Sequence, residues 1–142
     1  MTIYPEPSLL VSAFTSEAAS EAARAWLADI APSELTTSLW CDTEIVSALA
    51  IKVRRGELAS ANYDGTVRAV RASLRSSAAS IPITADHFRD AADLIQRSPK
   101  PLRVPDALHL AIAQAGGAVV WTLDVGMAKA GQALGLGTRL LA

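Results

Sequence analysis

The chain has 142 residues, 51% hydrophobic and 19% charged, with a formal charge of −1, and a mean hydropathy of +0.27. Those values exclude a disordered polyelectrolyte and suit one domain over residues 1–142 with a core of its own. The lone cysteine, Cys41, excludes a disulfide framework and a cysteine-based zinc site, and with no leader peptide and no apolar run of ~18 residues the expectation is a cytoplasmic protein without a membrane partner.

Short β-like runs alternate with amphipathic helices, which predicts an α/β fold around a mainly parallel sheet. Thr2-Ile3-Tyr4 is a strand stopped by Pro5 and Pro7, and Ser8 to Phe14 is a helix. A second helix runs from Glu17 to Ile30, with Ala19, Ala22, Ala23, Trp26, Leu27 and Ile30 at the spacing of one buried face. After Pro32, Glu34 to Thr37 is a second strand, and Ser38 caps a helix through Arg54. A helix over Ala59 to Ser76 leads to an edge strand, Ser80 to Ile83, in which Pro82 cannot donate to a ladder. Thr84 caps a helix to Arg97, and Ser98 to Pro101 is a loop. Pro105 suits the first turn of a helix over Asp106 to Ala115. Ala118 to Thr122 is a continuous apolar run, the pattern of a buried parallel strand. Val125 to Leu134 is the last helix, and Thr138 to Leu141 adds a short strand.

In open parallel sheets ligands bind beyond the carboxyl ends of the strands. Glu6 follows the first strand and Asp124 the Trp121-containing strand, while Asp106 opens the helix that feeds the latter. Glu44 lies in the helix after the second strand, on a stripe with Trp40, Ala48 and Ile51, whereas Asp42 falls off that stripe and reads as solvated. Each acid has a plainer reading. Asp106 and Asp124 stand where a first-turn or N-cap acid stabilises a helix dipole by about 0.3–1 kcal/mol, and Glu6 reads alone as a loop acid. If all converge, mutual repulsion raises their pKa values unless a cation sits among them. An all-oxygen carboxylate site suits Mg²⁺ or Mn²⁺.

These residues resemble the motifs of PIN-domain nucleases. Ile3-Tyr4-Pro5-Glu6-Pro7-Ser8-Leu9-Leu10-Val11 is similar to their first strand and acidic turn, and Thr43-Glu44-Ile45-Val46-Ser47-Ala48-Leu49 to their second acidic segment. Asp106-Ala107-Leu108-His109-Leu110-Ala111 is similar to the third, the most specific of the set, and Thr122-Leu123-Asp124 to the fourth. Order, spacing and length are similar to the VapC toxins of type II toxin–antitoxin pairs, over essentially the whole chain. The resemblance implies a three-layer α/β/α sandwich with a parallel sheet of four or five strands. It also implies Mg²⁺- or Mn²⁺-dependent endoribonuclease activity, a cognate antitoxin and a homodimer. Glu6, Glu44, Asp106 and Asp124 then become the metal-binding and catalytic acids, with Ser8 and Thr122 as substrate-binding hydroxyls near the first and the fourth. The chain departs from the family at Glu6, where Asp is usual. The longer side chain reaches about 1.5 Å further unless the backbone retreats. That change is compatible with an intact site, with a preference for Mn²⁺, or with a degenerate site in a binding module that acts through protein partners. Gly126 stands near a position where some relatives carry a further acid. Another Mg²⁺ phosphohydrolase on a doubly wound sheet fits less well, because that class uses two Asp on one loop.

Arg103 is the basic residue nearest Asp106 in sequence and is expected to contact RNA. His109, one turn after Asp106, reads as a structural residue of an apolar helix or, alternatively, as a proton shuttle. Arg68, Arg71 and Arg75 share one helical face, preceded by Lys52, Arg54 and Arg55, and read as a solvated face or a phosphate or antitoxin contact. Trp26, Trp40 and Trp121 read as core. The helices from Ala18 to Ile30 and from Ile45 to Val53 offer a groove for an antitoxin helix or simply pack the core. The near-neutral total hides an asymmetry: residues 1–50 carry one base and seven acids, and residues 51–142 twelve bases and seven acids. An acidic metal cluster beside a mildly basic remainder does not exclude an RNA substrate.

Overall fold

A computed structural model describes residues 2–142. In chain order the elements are β1 (Thr2–Pro5), α1 (Pro7–Phe14), α2 (Ser20–Ala28), β2 (Thr36–Thr37), α3 (Leu39–Arg54), α4 (Tyr63–Ser77) and β3 (Ala79–Ser80), followed by α5 (Ala85–Arg97), α6 (Val104–Ala115), β4 (Ala118–Thr122), α7 (Val125–Ala133) and β5 (Thr138–Leu140).

Strands β1, β4 and β5 pair in parallel in that order, and β2 pairs in parallel with β3. A parallel bridge from Ile3 to Leu35, and a 3.0 Å bond from Thr36 Oγ1 to the Ile3 carbonyl, join the two ladders. The order across the molecule is therefore β3-β2-β1-β4-β5. Strand β4 lies between β1 and β5, which is why its sequence is apolar throughout. The register pairs Thr2 with Ala118 and Pro5 with Trp121, so Glu6, just beyond β1, lies beside Thr122, the last residue of β4.

Successive strand residues face opposite sides, and helices cover both. Tyr4 and Val120 join the main cluster with Leu49, Val70, Leu94 and Ile112. A smaller cluster of Leu9, Ala13 and Ala23 packs with Trp26 and Trp121, whose rings lie 5.5 Å apart. The result is a three-layer α/β/α sandwich. Each fully buried aliphatic side chain contributes roughly 1.5–3 kcal/mol. Helix α6 is buried from Asp106 to Ala113, and Gly117, at φ 68°, turns the chain from it into β4.

Several boundaries differ from expectation for local reasons. Pro32–Glu34 is a 3-10 turn, so the second strand shrinks to Thr36–Thr37 and excludes Glu34. The edge strand sits at Ala79–Ser80 rather than Ser80 to Ile83. Its last ladder bond is Ile81 N to the Thr37 carbonyl at 2.8 Å, and Pro82 has no N–H to continue. Helix α2 starts at Ser20 rather than Glu17, because Ser20 Oγ accepts from Glu17 N and donates to the Thr15 carbonyl, both at 2.8 Å. Its core face is narrower than the sequence spacing suggests, and Ala22 is exposed. A 3-10 turn at Ser60–Asn62 delays α4 to Tyr63. Helix α6 begins two residues before Asp106, with Ala107 N bonding the Arg103 carbonyl at 2.9 Å.

Candidate active site

Glu6 occupies the turn between β1 and α1, with its N–H 2.8 Å from the Trp121 carbonyl. Flanking prolines fix the backbone on both sides. Its side chain is only 7% exposed. Oε2 accepts from Thr122 Oγ1 at 2.8 Å and from Ser8 Oγ. The two hydroxyls are themselves tied down: Leu123 N donates to Ser8 Oγ at 3.1 Å and Asp124 N to Thr122 Oγ1 at 3.0 Å. The acidic turn after β1 and the one after β4 thus interlock. Burial raises the Glu6 carboxyl above its ordinary range, against the pull of Ser8, His109 and Thr122 towards ionisation.

The buried stripe of α3 is Cys41, Ile45 and Leu49. Trp40, Glu44, Ala48 and Ile51 lie on its half-buried flank. The Glu44 side chain is 25% exposed and bonds through Oε2 to His109 Nε2. His109 is fully buried. Its Nδ1 lies 2.8 Å from Tyr4 Oη, which lies 2.8 Å from Ser38 Oγ. Ser38 also caps α3, accepting from Cys41 N at 3.4 Å. Burial works against charge on the imidazole, but contacts with Cys41 and Glu44 outweigh it and push the ring up to about 10.

Asp106 sits in the first turn of α6, and Trp40 Nε1 holds that end of the helix through the Pro105 carbonyl at 3.2 Å. Burial raises the Asp106 carboxyl, with Asp124 adding to the rise, although Arg103 opposes it. Asp124 N-caps α7 through Met127 N at 2.9 Å, so it does serve the helix as the plainer reading proposed. It also faces the site: Arg103 donates from Nε to Asp106 Oδ2 at 3.1 Å and from Nη2 to Asp124 Oδ2 at 3.0 Å.

Glu6, Glu44, Asp106 and Arg103, with Ala48 and Ile51, line one cavity of about 320 Å³. Asp124 is outside its lining and reaches it through Arg103. Donor atoms of Glu6, Glu44 and His109 lie within 4.8 Å of one another, a set that Asp106 and Asp124 do not join. A pair of converging carboxylates, one of them buried against its charged form, fits a divalent cation, which would supply the missing counter-charge.

The residues that sequence reasoning undervalued are His109 and its support, Tyr4 and Ser38. The signals were present: His109 follows Asp106 by one turn, and Tyr4 stands on β1 two residues before Glu6. The proposed basic face divides, with Arg71 and Arg75 lining one groove together. Arg71 makes a two-point bond to Asp42 at 2.7 and 2.9 Å, so Asp42 is paired rather than freely solvated. Arg68 lines a different groove, beside Phe14.

Acids gathered beyond the carboxyl ends of parallel strands, braced by hydroxyls from the same turns, define an α/β protein with an acidic ligand site. The PIN domain family model matches residues 3–132, and the chain belongs to the PIN-domain family. Comparison with curated protein sequences yields no match. Among solved structures, VapC20 of Mycobacterium tuberculosis, a sarcin–ricin loop cleaving toxin, is 19% identical with a TM-score of 0.70, over 92% of this chain and 95% of that one. FitAcB from Neisseria gonorrhoeae is 13% identical with a TM-score of 0.71, over 97% and 96%. A toxin–antitoxin complex from Klebsiella pneumoniae is 20% identical with a TM-score of 0.63, over 87% of each chain. Among the described residues no helix is long and apolar enough to cross a membrane.

Proposed function

We propose that the chain, acting as a single domain over residues 1–142, is a Mg²⁺- or Mn²⁺-dependent endoribonuclease and the toxin of a toxin–antitoxin pair. The observation that carries this reading is the cavity lined jointly by Glu6, Glu44 and Asp106, with Asp124 one guanidinium away. The RNA substrate is supported by the likeness to VapC20, and the antitoxin partner by the likeness to the Klebsiella complex. A homodimer, as the family implies, belongs to the same proposal.

Glu6, Glu44, Asp106 and Asp124 would hold the cation. A bound Mg²⁺ or Mn²⁺ supplies Lewis acidity that activates water and offsets charge on the scissile phosphate. Ser8 and Thr122 donate to Glu6 and favour its ionised form against burial. Arg103, 72% exposed at the rim, would donate to an entering phosphate as a bidentate partner. Cleavage would leave a 5′-phosphate and a 3′-hydroxyl, as the family implies.

The test is cleavage of candidate RNAs by the purified chain, with Mg²⁺, with Mn²⁺ and with chelator, beside Asp106→Asn. Cleavage should vanish with chelator. In Asp106→Asn it should fall by more than the roughly 10–100-fold that loss of an outer partner of a metal ligand costs. Cleavage indifferent to both would overturn the assignment. The longer Glu6 favours one rival, a partner-binding module with a degenerate site, which predicts no Mn²⁺ binding and no cleavage of any RNA.

A further inference from the structure

Three of the four acids are carried by elements that meet at a single buried ring. Tyr4 belongs to β1, which leads directly into Glu6; Ser38 caps α3, which carries Glu44; His109 lies on α6, which carries Asp106. The chain Ser38 Oγ, Tyr4 Oη, His109 Nδ1 runs through the interior in two 2.8 Å steps. It emerges through His109 Nε2 on Glu44 Oε2, at the wall of the cavity.

We propose that His109 is a positioning residue for Glu44, locked by Tyr4 and Ser38, which presents the carboxylate to the cation at a set angle. The proposal rests on the metal-dependent reading of the same cavity.

A histidine that merely filled space would not need this arrangement. Its neighbours Leu108, Leu110 and Ile112 are buried and apolar, and an apolar residue at 109 would avoid burying two polar nitrogens. Here both nitrogens are engaged, and one of them reaches a candidate ligand. The direction of the outer bond does not depend on the ring's charge. In the neutral ring Nδ1 accepts from the Tyr4 hydroxyl; in the charged ring it donates to the Tyr4 oxygen. Either way Nε2 carries its proton towards a carboxylate that can only accept. Tyr4 also packs against the ring, with centroids 5.6 Å apart, and Trp40 lies on another side at 6.2 Å. The imidazole therefore has one orientation available. Glu44 sits on a half-buried helical flank with rotatable bonds of its own, and the ring fixes one of its oxygens while leaving the other free to ligate. Outer partners of this kind commonly set metal affinity by 10–100-fold.

The experiment is calorimetric titration of the full chain with MnCl₂, using wild type, Glu44→Gln, His109→Leu, His109→Gln and Tyr4→Phe, with urea unfolding of each metal-free protein alongside. Glu44→Gln should abolish binding. His109→Leu should weaken it by roughly tenfold or more, and Tyr4→Phe by about threefold, in proteins that still unfold cooperatively. His109→Gln should stay within about threefold of wild type, because its amide keeps an N–H directed at Glu44. Wild-type affinity in both the Leu and Phe variants would overturn the proposal. So would a Gln variant as weak as the Leu variant, which would make the imidazole itself a ligand. Tyr4→Phe guards against a His109→Leu protein that fails to fold. A wild type that binds no Mn²⁺ would sink the nuclease reading and this inference together. Binding lost in Glu44→Gln but unmoved at His109 and Tyr4 would sink this inference alone.

Discussion

Glu6 and Glu44 are gripped by groups of the fold itself: the half-buried Ser8 hydroxyl and the buried Thr122 hydroxyl on one, the buried imidazole of His109 on the other. Asp106 and Asp124 instead share a single guanidinium, and that side chain is 72% exposed. In the first half Thr122 and His109 are fully buried and cannot leave without opening the interior. In the second half Met127 N also holds Asp124, but the group shared by the two acids is a flexible arm with water on most sides, and its exposed pair with Asp124 is worth about 0–1 kcal/mol. One half is set before any cation arrives. The other is provisionally balanced by a charge that a cation or a phosphate can displace.

Thr122→Val breaks the set half most directly. The hydroxyl is fully buried, donates to Glu6 Oε2 and accepts Asp124 N–H, so it touches both halves. Valine keeps the shape and leaves the Asp124 N–H and the Glu6 carboxylate each one partner short. Mn²⁺ affinity measured by calorimetry should fall about tenfold, and urea unfolding should show a loss of about 1–3 kcal/mol. If only stability changes, Glu6 is not held for a cation and the contrast between the halves loses its functional meaning.

Arg103→Ala tests the provisional half, and the effect should have the opposite sign. Removing the guanidinium uncovers two carboxylates whose joint charge it had offset in part, so Mn²⁺ should bind about threefold more tightly, within the range of an exposed pair. Under the nuclease reading, KM for RNA should rise in the same protein, because the arm freed by the cation is then missing from the phosphate. A fall in Mn²⁺ affinity would show that Arg103 organises Asp106 and Asp124 rather than competing for them.

The two halves were also unequally legible in the sequence. The Ala118–Thr122 strand was readable to the residue, because an apolar run between Gly117 and Asp124 leaves no other boundary. The acidic rim followed, since Glu6 and Asp124 directly succeed strand ends and the parallel order brings those ends together. Two-residue strands such as β2 and β3 are too short for any period, so their limits were set by Pro32 and Pro82 in ways the pattern blurred. The braces were harder still. His109 and Glu44 are 65 positions apart, and their meeting depends on how α6 crosses α3, which neither segment encodes alone. Arg103 was placed near substrate from its proximity to Asp106, but its second bond, to Asp124, spans 21 positions. Where a long side chain rests is a property of the assembled rim.

The smallest effect expected concerns a second exposed arginine–carboxylate pair, Arg71 with Asp42, which ties α4 to α3. The hydrogen bond from Arg71 holds the Asp42 carboxyl below its ordinary range, against modest desolvation. Asp106 also bonds an arginine, yet it moves the other way, because its side chain is 8% exposed where that of Asp42 is 34% exposed. With similar partners, burial decides the sign. A depressed carboxyl stabilises the fold above its unfolded value of about 3.9, and that contribution is lost as the pH falls through the lower, folded value. Asp42→Asn should therefore lower Tm by at most about 2 °C at neutral pH, with the difference from wild type closing below about pH 3.9 and shrinking in high salt. Mn²⁺ affinity should not change. A Tm difference that survived at low pH would mean that Asp42 acts through packing. The contrast with Asp106 could then no longer be assigned to the balance between burial and a neighbouring guanidinium.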